Sequence, residues 1–198
     1  MEIVLASRNK KKIAELQAML RAIDGLDIKI LSLDDIGVTE DIEENGNTFE
    51  ENARIKASAG AAKGYITVAD DSGLCVDALD GAPGVYSARF SGGGDLENNL
   101  LLQEKLKGLP KEKRTASFRT GVVCILPSLN KEIVTEGRVD GYITEQPAGD
   151  GGFGYDPYFF YPPFGKTFAQ LTPEEKNSVS HRGKAMRAFA EELKAILS

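Results

Sequence analysis

Apolar positions along the chain switch between two periods, and the switches mark out its elements. Glu2 to Ala6 is a short apolar run that reads as a strand. From about Lys10, apolar Ile13, Leu16, Leu20 and Ile23 recur three or four apart, which lines one face of a helix. Ile28 to Leu31 is a second short run. Thr48 and Glu51 stand at capping-box spacing and open an Ala-rich helix predicted to end near Gly64. Ile66 to Ala69 is the next predicted strand. Asp70 and Asp71 then sit where it ends, with side chains pointing to opposite sides. Asp95 is expected to cap a helix carrying Leu96, Leu100, Leu102, Leu106 and Leu109, stopped by Gly108 and Pro110. Ala116 to Leu126 and Glu132 to Val139 read as antiparallel neighbours around "PSLNK". Tyr158 to Tyr161 forms one more strand, and Thr172, Pro173 and Glu175 start a short helix. The last helix, from about Ser180, buries Met186, Phe189, Leu193 and Ile196.

Strands and helices alternate early, and a β-rich middle follows, with no repeat or linker. The expectation is one α/β domain over residues 1–198 with a mixed sheet. A chain of 198 residues, 41% hydrophobic and 27% charged, can bury a substantial core. No apolar run approaches the roughly 18 residues of a membrane-spanning helix. The basic cluster of the N-terminus follows the apolar stretch, the reverse of a secretory signal, so a cytoplasmic location is expected. Cys75 and Cys124 are expected to be buried, reduced thiols. A single histidine excludes the usual multi-histidine zinc sites. The net charge of −6 argues against sequence-independent binding of duplex nucleic acid, but leaves room for a small phosphorylated ligand in a local basic pocket.

Four stretches carry candidate chemistry. "ASRNKKK" lies between a strand and a helix, where backbone N–H groups attract anions and Ser7, Asn9 and Lys12 add donors and charge; a capped helix with a solvated lysine run is the alternative. "EDIEENGNTFEEN", with Asp70 and Asp71, offers carboxylate oxygens of the kind that hold Mg²⁺ together with substrate phosphates. Its spacing is not that of an EF-hand loop. "GDGGFGYDP" combines glycines that let backbone approach a ligand with Phe153 and Tyr155 as faces for a base. "EEKNSVSHRGKA" places Lys176, His181 and Arg182 around the start of the final helix, where a guanidinium can grip phosphate or a carbonyl. Acids for a cation, bases for phosphates and an aromatic, Gly-rich loop are the parts of a nucleoside triphosphate pocket.

The ordered series "ASRNKKK", "EENGNTFEENARIKA", "ADDSGLCVDALDGAPGVYSARFSG", "GGFGYDPYF" and "EEKNSVSHRGKA" closely resembles the noncanonical purine NTP pyrophosphatases, the inosine triphosphate pyrophosphatase or HAM1-like family of XTP/dITP diphosphatases. The likeness runs from about residue 3 to 190. It implies an elongated mixed β-sheet flanked by helices, with two lobes and an active-site cleft between them, and a homodimer. It also implies Mg²⁺-dependent cleavage of ITP, dITP and XTP to the monophosphate and pyrophosphate. Position by position, it implies that Ser7, Arg8, Asn9, Lys10, Lys11 and Lys12 form the phosphate-gripping segment, although Arg8 replaces a glycine found in many members. Asp71 matches the proton acceptor and metal ligand, and either Glu43 or Glu44 the second metal ligand. Ser72 and Lys56 match substrate contacts. Phe153, Gly154, Tyr155 and Asp156 match the base-binding loop, and Lys176, His181 and Arg182 the C-terminal substrate contacts. A nucleotide sensor without catalysis, or a pyrophosphatase for other modified nucleotides, are the alternative readings.

Overall fold

In the computed structural model, which describes residues 1–23 and 25–197, the predicted periods become strands and helices in the expected order. The strands are β1 (Glu2–Leu5), β2 (Lys29–Ser32), β3 (Thr67–Val76), β4 (Thr115–Leu126), β5 (Lys131–Ile143), β6 (Phe159–Tyr161) and β7 (Lys166–Thr167). The helices are α1 (Lys10–Arg21), α2 (Phe49–Ala61), α3 (Asp95–Lys105), α4 (Pro173–Val179) and α5 (His181–Leu197). Among the described residues the strands form one seven-stranded sheet in the order β2-β1-β3-β4-β5-β6-β7. β1 runs parallel to β2 and β3, whereas β6 is antiparallel to β5 and β7, so the sheet is mixed as expected.

The chain divides into two compact units. The first comprises Met1–Asp71, Thr120–Gly137 and Arg182–Ser198. Its strands alternate strictly. Ile3, Leu5, Val68, Val122 and Cys124 pack with Leu16 and Leu20 of α1 and with Met186, Phe189 and Leu193 of α5. Val4, Ala6, Ala69 and Val123 point the other way, onto Ala53 and Ala57 of α2. A period of two along each strand is what puts α1 and α5 on one face and α2 on the other. The second unit, Ser72–Arg119 and Arg138–His181, has its own core of Leu74, Leu102, Leu106, Phe118, Ile143, Tyr155, Phe159 and Phe168.

Three expectations are corrected. The cap of α3 is Gly94, and Asp95, expected to cap it, is its first residue. The strand predicted to stop at Ala69 continues to Val76, so Asp70 and Asp71 lie inside β3 rather than at its end. In α3, Leu96 and Leu100 face solvent, 67% and 58% exposed, and the buried face is Asn98, Asn99, Leu102 and Leu106. Helical geometry explains this: a residue two before Leu102 lies about 200° around the axis, whereas residues three and four before it share its face.

Candidate active site

Two acids can sit side by side within a strand because the pleat sends them to opposite faces, and each meets its own cations. Asp71 shares the face of Thr67 and Ala69, toward α2. That helix lies close to the sheet because its contact positions are small. Ala53 and Ala57 are fully buried, and a Cβ added to Gly60 would lie 2.4 Å from Thr67 Oγ1. At its other end, a Cβ on Gly121 of β4 would lie 2.9 Å from the Glu50 backbone nitrogen. The close approach brings Asn52 and Lys56, one turn apart, onto Asp71.

Asn52 Nδ2 donates to Asp71 Oδ2 at 3.1 Å, and Lys56 Nζ lies 3.6 Å from Asp71 Oδ1. Lys56 also donates to Glu44 Oε2 at 2.9 Å, so one ammonium joins both carboxylates. Asn52 Oδ1 accepts from the Gly46 N–H at 2.8 Å, which ties the acidic loop to the same point. Thr48 caps α2 by accepting from Glu51 N–H, while Glu51 accepts from Asn47 N–H, closing the loop that carries Glu44. Of the two glutamates left open by the sequence, Glu44 is the one facing Lys56; Glu43 is exposed. Burial raises the Asp71 carboxyl above its ordinary value, with Lys56 and Lys12 pulling the other way. Burial would lower the Lys56 ammonium, but Asp71, Asp70 and Glu44 outweigh it and the net shift is upward.

Among the described residues no three acidic, histidine or cysteine side chains cluster tightly enough to enclose a metal ion. Two hard carboxylates already gathered around one cation suit Mg²⁺, which keeps waters and takes its remaining oxygens from substrate phosphates. Asp71 and Glu44 are the residues that fit this ion.

Asp70 faces α1 and α5. Its side chain is fully buried, accepts from Arg182 Nε at 3.0 Å and lies 3.7 Å from Lys12 Nζ. Arg182, itself buried, also donates to Glu15. Burial alone would raise the Asp70 carboxyl; Lys12 and Arg182 prevail and hold it well below the carboxylate range. Lys12 is lowered, burial outweighing the pull of Asp70. The start of α1 places Lys12: Asn9 Oδ1 accepts from the N–H groups of Lys11 and Lys12, and Ser7 Oγ accepts from Asn9 N–H. Lys10 and Lys11 are exposed on the first turn. Arg8 turns to Asp34 and to the carbonyls of Val38 and Glu40, so its donors serve the chain's own acceptors.

In the second unit the "GGFGYDP" loop folds around the Asp156 carboxylate. Asp156 Oδ2 accepts from Phe153 N–H at 2.9 Å and from the buried Lys176 Nζ at 2.8 Å. Lys176 Nζ also stands 4.7 Å from the centre of the half-buried Phe153 ring. Tyr155 is not a stacking face: it is 4% exposed in the core, and its hydroxyl donates to Ser87 O. His181 is buried and stacks on Phe118 with centroids 4.9 Å apart. Ser72 is the one half-buried residue of β3.

Sequence reasoning missed Asn52, whose signal was its spacing of one turn from Lys56. It also missed Asp95, Asn98 and Asn99, whose signal was two amides on the inward face of an apolar helix.

The fold and the two carboxylate–ammonium clusters define an α/β protein with the donors to hold a divalent cation beside a phosphorylated ligand. The chain belongs to the Ham1 family, whose profile matches residues 3–192. It is 50% identical over 198 residues to the dITP/XTP pyrophosphatase of Nitratidesulfovibrio vulgaris, covering 96% of this chain and 94% of that protein. It is 46% identical to the dITP/XTP pyrophosphatase of Bacillus subtilis, covering 98% of each. Among solved structures it is similar to a HAM1 protein from Coxiella burnetii, with a TM-score of 0.88, 40% identity, and coverage of 98% of this chain and 99% of that one.

Proposed function

We propose that this chain hydrolyses noncanonical purine nucleoside triphosphates, dITP, XTP and ITP, to the nucleoside monophosphate and pyrophosphate, and so removes deaminated purines from the nucleotide pool. The observation that carries this reading is the buried Asp71 carboxylate joined through one ammonium to Glu44. Asp71, raised by burial, accepts the proton of a water attacking the α phosphorus. The bond from that phosphorus to the bridging oxygen breaks, and pyrophosphate departs with the electron pair. Lys56 and Lys12 neutralise phosphate oxygens that would otherwise repel the nucleophile. Asp71 and Glu44 would hold Mg²⁺, which when bound would supply Lewis-acid stabilisation of the developing negative charge.

Phe153 supplies a stacking face for the base, with Lys176 and Asp156 fixing it. Selection against ATP requires a donor opposite the 6-oxo group, a role we give to His181, because the Arg182 guanidinium is engaged by Asp70 and Glu15. A 6-amino group would leave that donor unmet, which rejects by up to about 10⁴-fold. A homodimer is proposed from family likeness and is checked by sedimentation at several concentrations.

A panel of ITP, dITP, XTP, GTP and ATP, assayed for monophosphate and pyrophosphate with and without Mg²⁺, tests the reading. Preferential, Mg²⁺-dependent release from the deaminated nucleotides is expected. Equal rates on ATP and GTP overturn the pool-cleansing role, and binding without pyrophosphate release favours a sensor.

A further inference from the structure

The inward face of α3 opens with two amides where the helix could have continued its leucines. Asn99 is buried, and its Oδ1 has no hydrogen-bond partner among the described residues. An apolar side chain would fill that position without the cost of an unpaired buried oxygen. What the amide adds is donation: Asn99 Nδ2 reaches Asp95 O at 2.8 Å and Gly154 O at 2.9 Å. One turn earlier, Asp95 Oδ2 accepts from Gly154 N–H at 2.9 Å. The Gly154 peptide groups are therefore gripped at both ends, the N–H by Asp95 and the carbonyl by Asn99. Gly154 has φ +60°, the left-handed region glycine enters without strain. The residue before it, Phe153, has its own N–H held by Asp156.

We propose that Asp95 and Asn99 are positioning residues for the purine, setting the Phe153 ring by clamping the peptide that follows it. This rests on the reading of the Phe153 loop as the base platform. It also removes one candidate for base recognition: the Gly154 N–H is already committed to Asp95 and does not read the 6-oxo group.

The clamp acts on the base and not on the phosphates, so its loss separates binding from chemistry. Asp95→Ala is expected to raise KM for ITP and weaken inosine monophosphate binding by calorimetry, each by about tenfold, the scale of one charge-assisted hydrogen bond. Its kcat and inhibition by inorganic pyrophosphate stay within about twofold of the parent protein. Asp95→Asn keeps an oxygen acceptor for Gly154 N–H and restores affinity to within about threefold. Asn99→Leu, which keeps the buried shape, repeats the Asp95→Ala pattern. Glu97→Ala is the control: it removes the capping bond from Gly94 N–H to Glu97, 2.9 Å long, from the same helix end. It should lower Tm without changing KM.

If Asp95→Ala leaves inosine monophosphate affinity unchanged, or Glu97→Ala raises KM as much, the positioning role is overturned. Phe153→Ala distinguishes the two readings. Unchanged nucleotide affinity in that variant removes the base platform itself, whereas weakened affinity there with intact affinity in Asp95→Ala removes the clamp alone.

Discussion

Asp70→Asn is the sharpest test of the electrostatics around β3. The substitution keeps the shape of a fully buried side chain and removes its charge, leaving Arg182 with Glu15 and leaving Lys12 without its nearest counter-ion. Removing one partner of a buried pair costs about 3–5 kcal/mol. One feature places this case near the lower end, about 3 kcal/mol: Glu15 remains on Arg182.

The pH dependence carries a definite sign. The folded-state value of Asp70 is depressed below its unfolded value of about 3.9. As pH falls through that value the unfolded state takes up the proton first, so stability from Asp70 is complete at neutral pH and drains away in acid. The gap between parent and variant should stay level from about pH 7 to 5 and then close by up to about 1.4 kcal/mol per pH unit below 4. Urea unfolding at several pH values from about 7 to 3 measures it. A gap under about 1 kcal/mol at neutral pH, or one that widens in acid, would refute the reasoning.

Asp71→Asn should lower turnover by about 10²–10⁴-fold with the fold retained by circular dichroism, and near-parental turnover at saturating Mg²⁺ would remove Asp71 from the chemistry. Glu44→Gln should raise the Mg²⁺ concentration for half-activity by about tenfold or more while Glu43→Gln changes it less than about twofold; the reverse pattern would reassign the ligand. Gly60→Ala gains up to about 1 kcal/mol of helix propensity, but its Cβ meets Thr67 Oγ1 at 2.4 Å, so net destabilisation of about 1–3 kcal/mol is expected in urea unfolding. Burial pushes the Cys124 thiol up to about 12 and raises Cys75 as well, so neither should react with an aromatic disulfide reagent at neutral pH until urea unfolds the chain.

Periodicity located the elements because most of them bury one face. It failed where burial was polar. β3 was cut at Ala69 because acids are poor strand residues, yet Asp70 and Asp71 are held within the strand by Lys12, Arg182, Asn52 and Lys56, partners scattered from residue 12 to 182. The same blindness hid Asn98 and Asn99, whose inward face is defined by backbone carbonyls that no residue type announces. Tyr155 reads as a ligand platform beside four glycines, but its ring packs in the core of the second unit and its hydroxyl donates to Ser87 O. That bond also gives the run "DGAPGVYSARFSG" a structural role. Ser87 Oγ accepts from Leu74 N–H, and the Ser87 carbonyl receives both Tyr155 and Asn98, so the turn braces the loop that carries Phe153.

The adjacent acids of β3 sort charge by the parity of the strand. Lys56, ringed by Asp71, Asp70 and Glu44, is driven upward, and its side of the sheet carries an excess of carboxylate. Lys12 is lowered chiefly by burial, and on its side Lys12 and Arg182 are matched by Asp70 and Glu15. One residue of spacing thus places an acid-rich cluster of Asp71, Glu44 and Lys56 on one face of β3 and a buried, balanced set of ion pairs on the other. Two acids spaced by two would share one face, repel each other there, and leave Lys12 without its counter-ion and Arg182 with Glu15 alone.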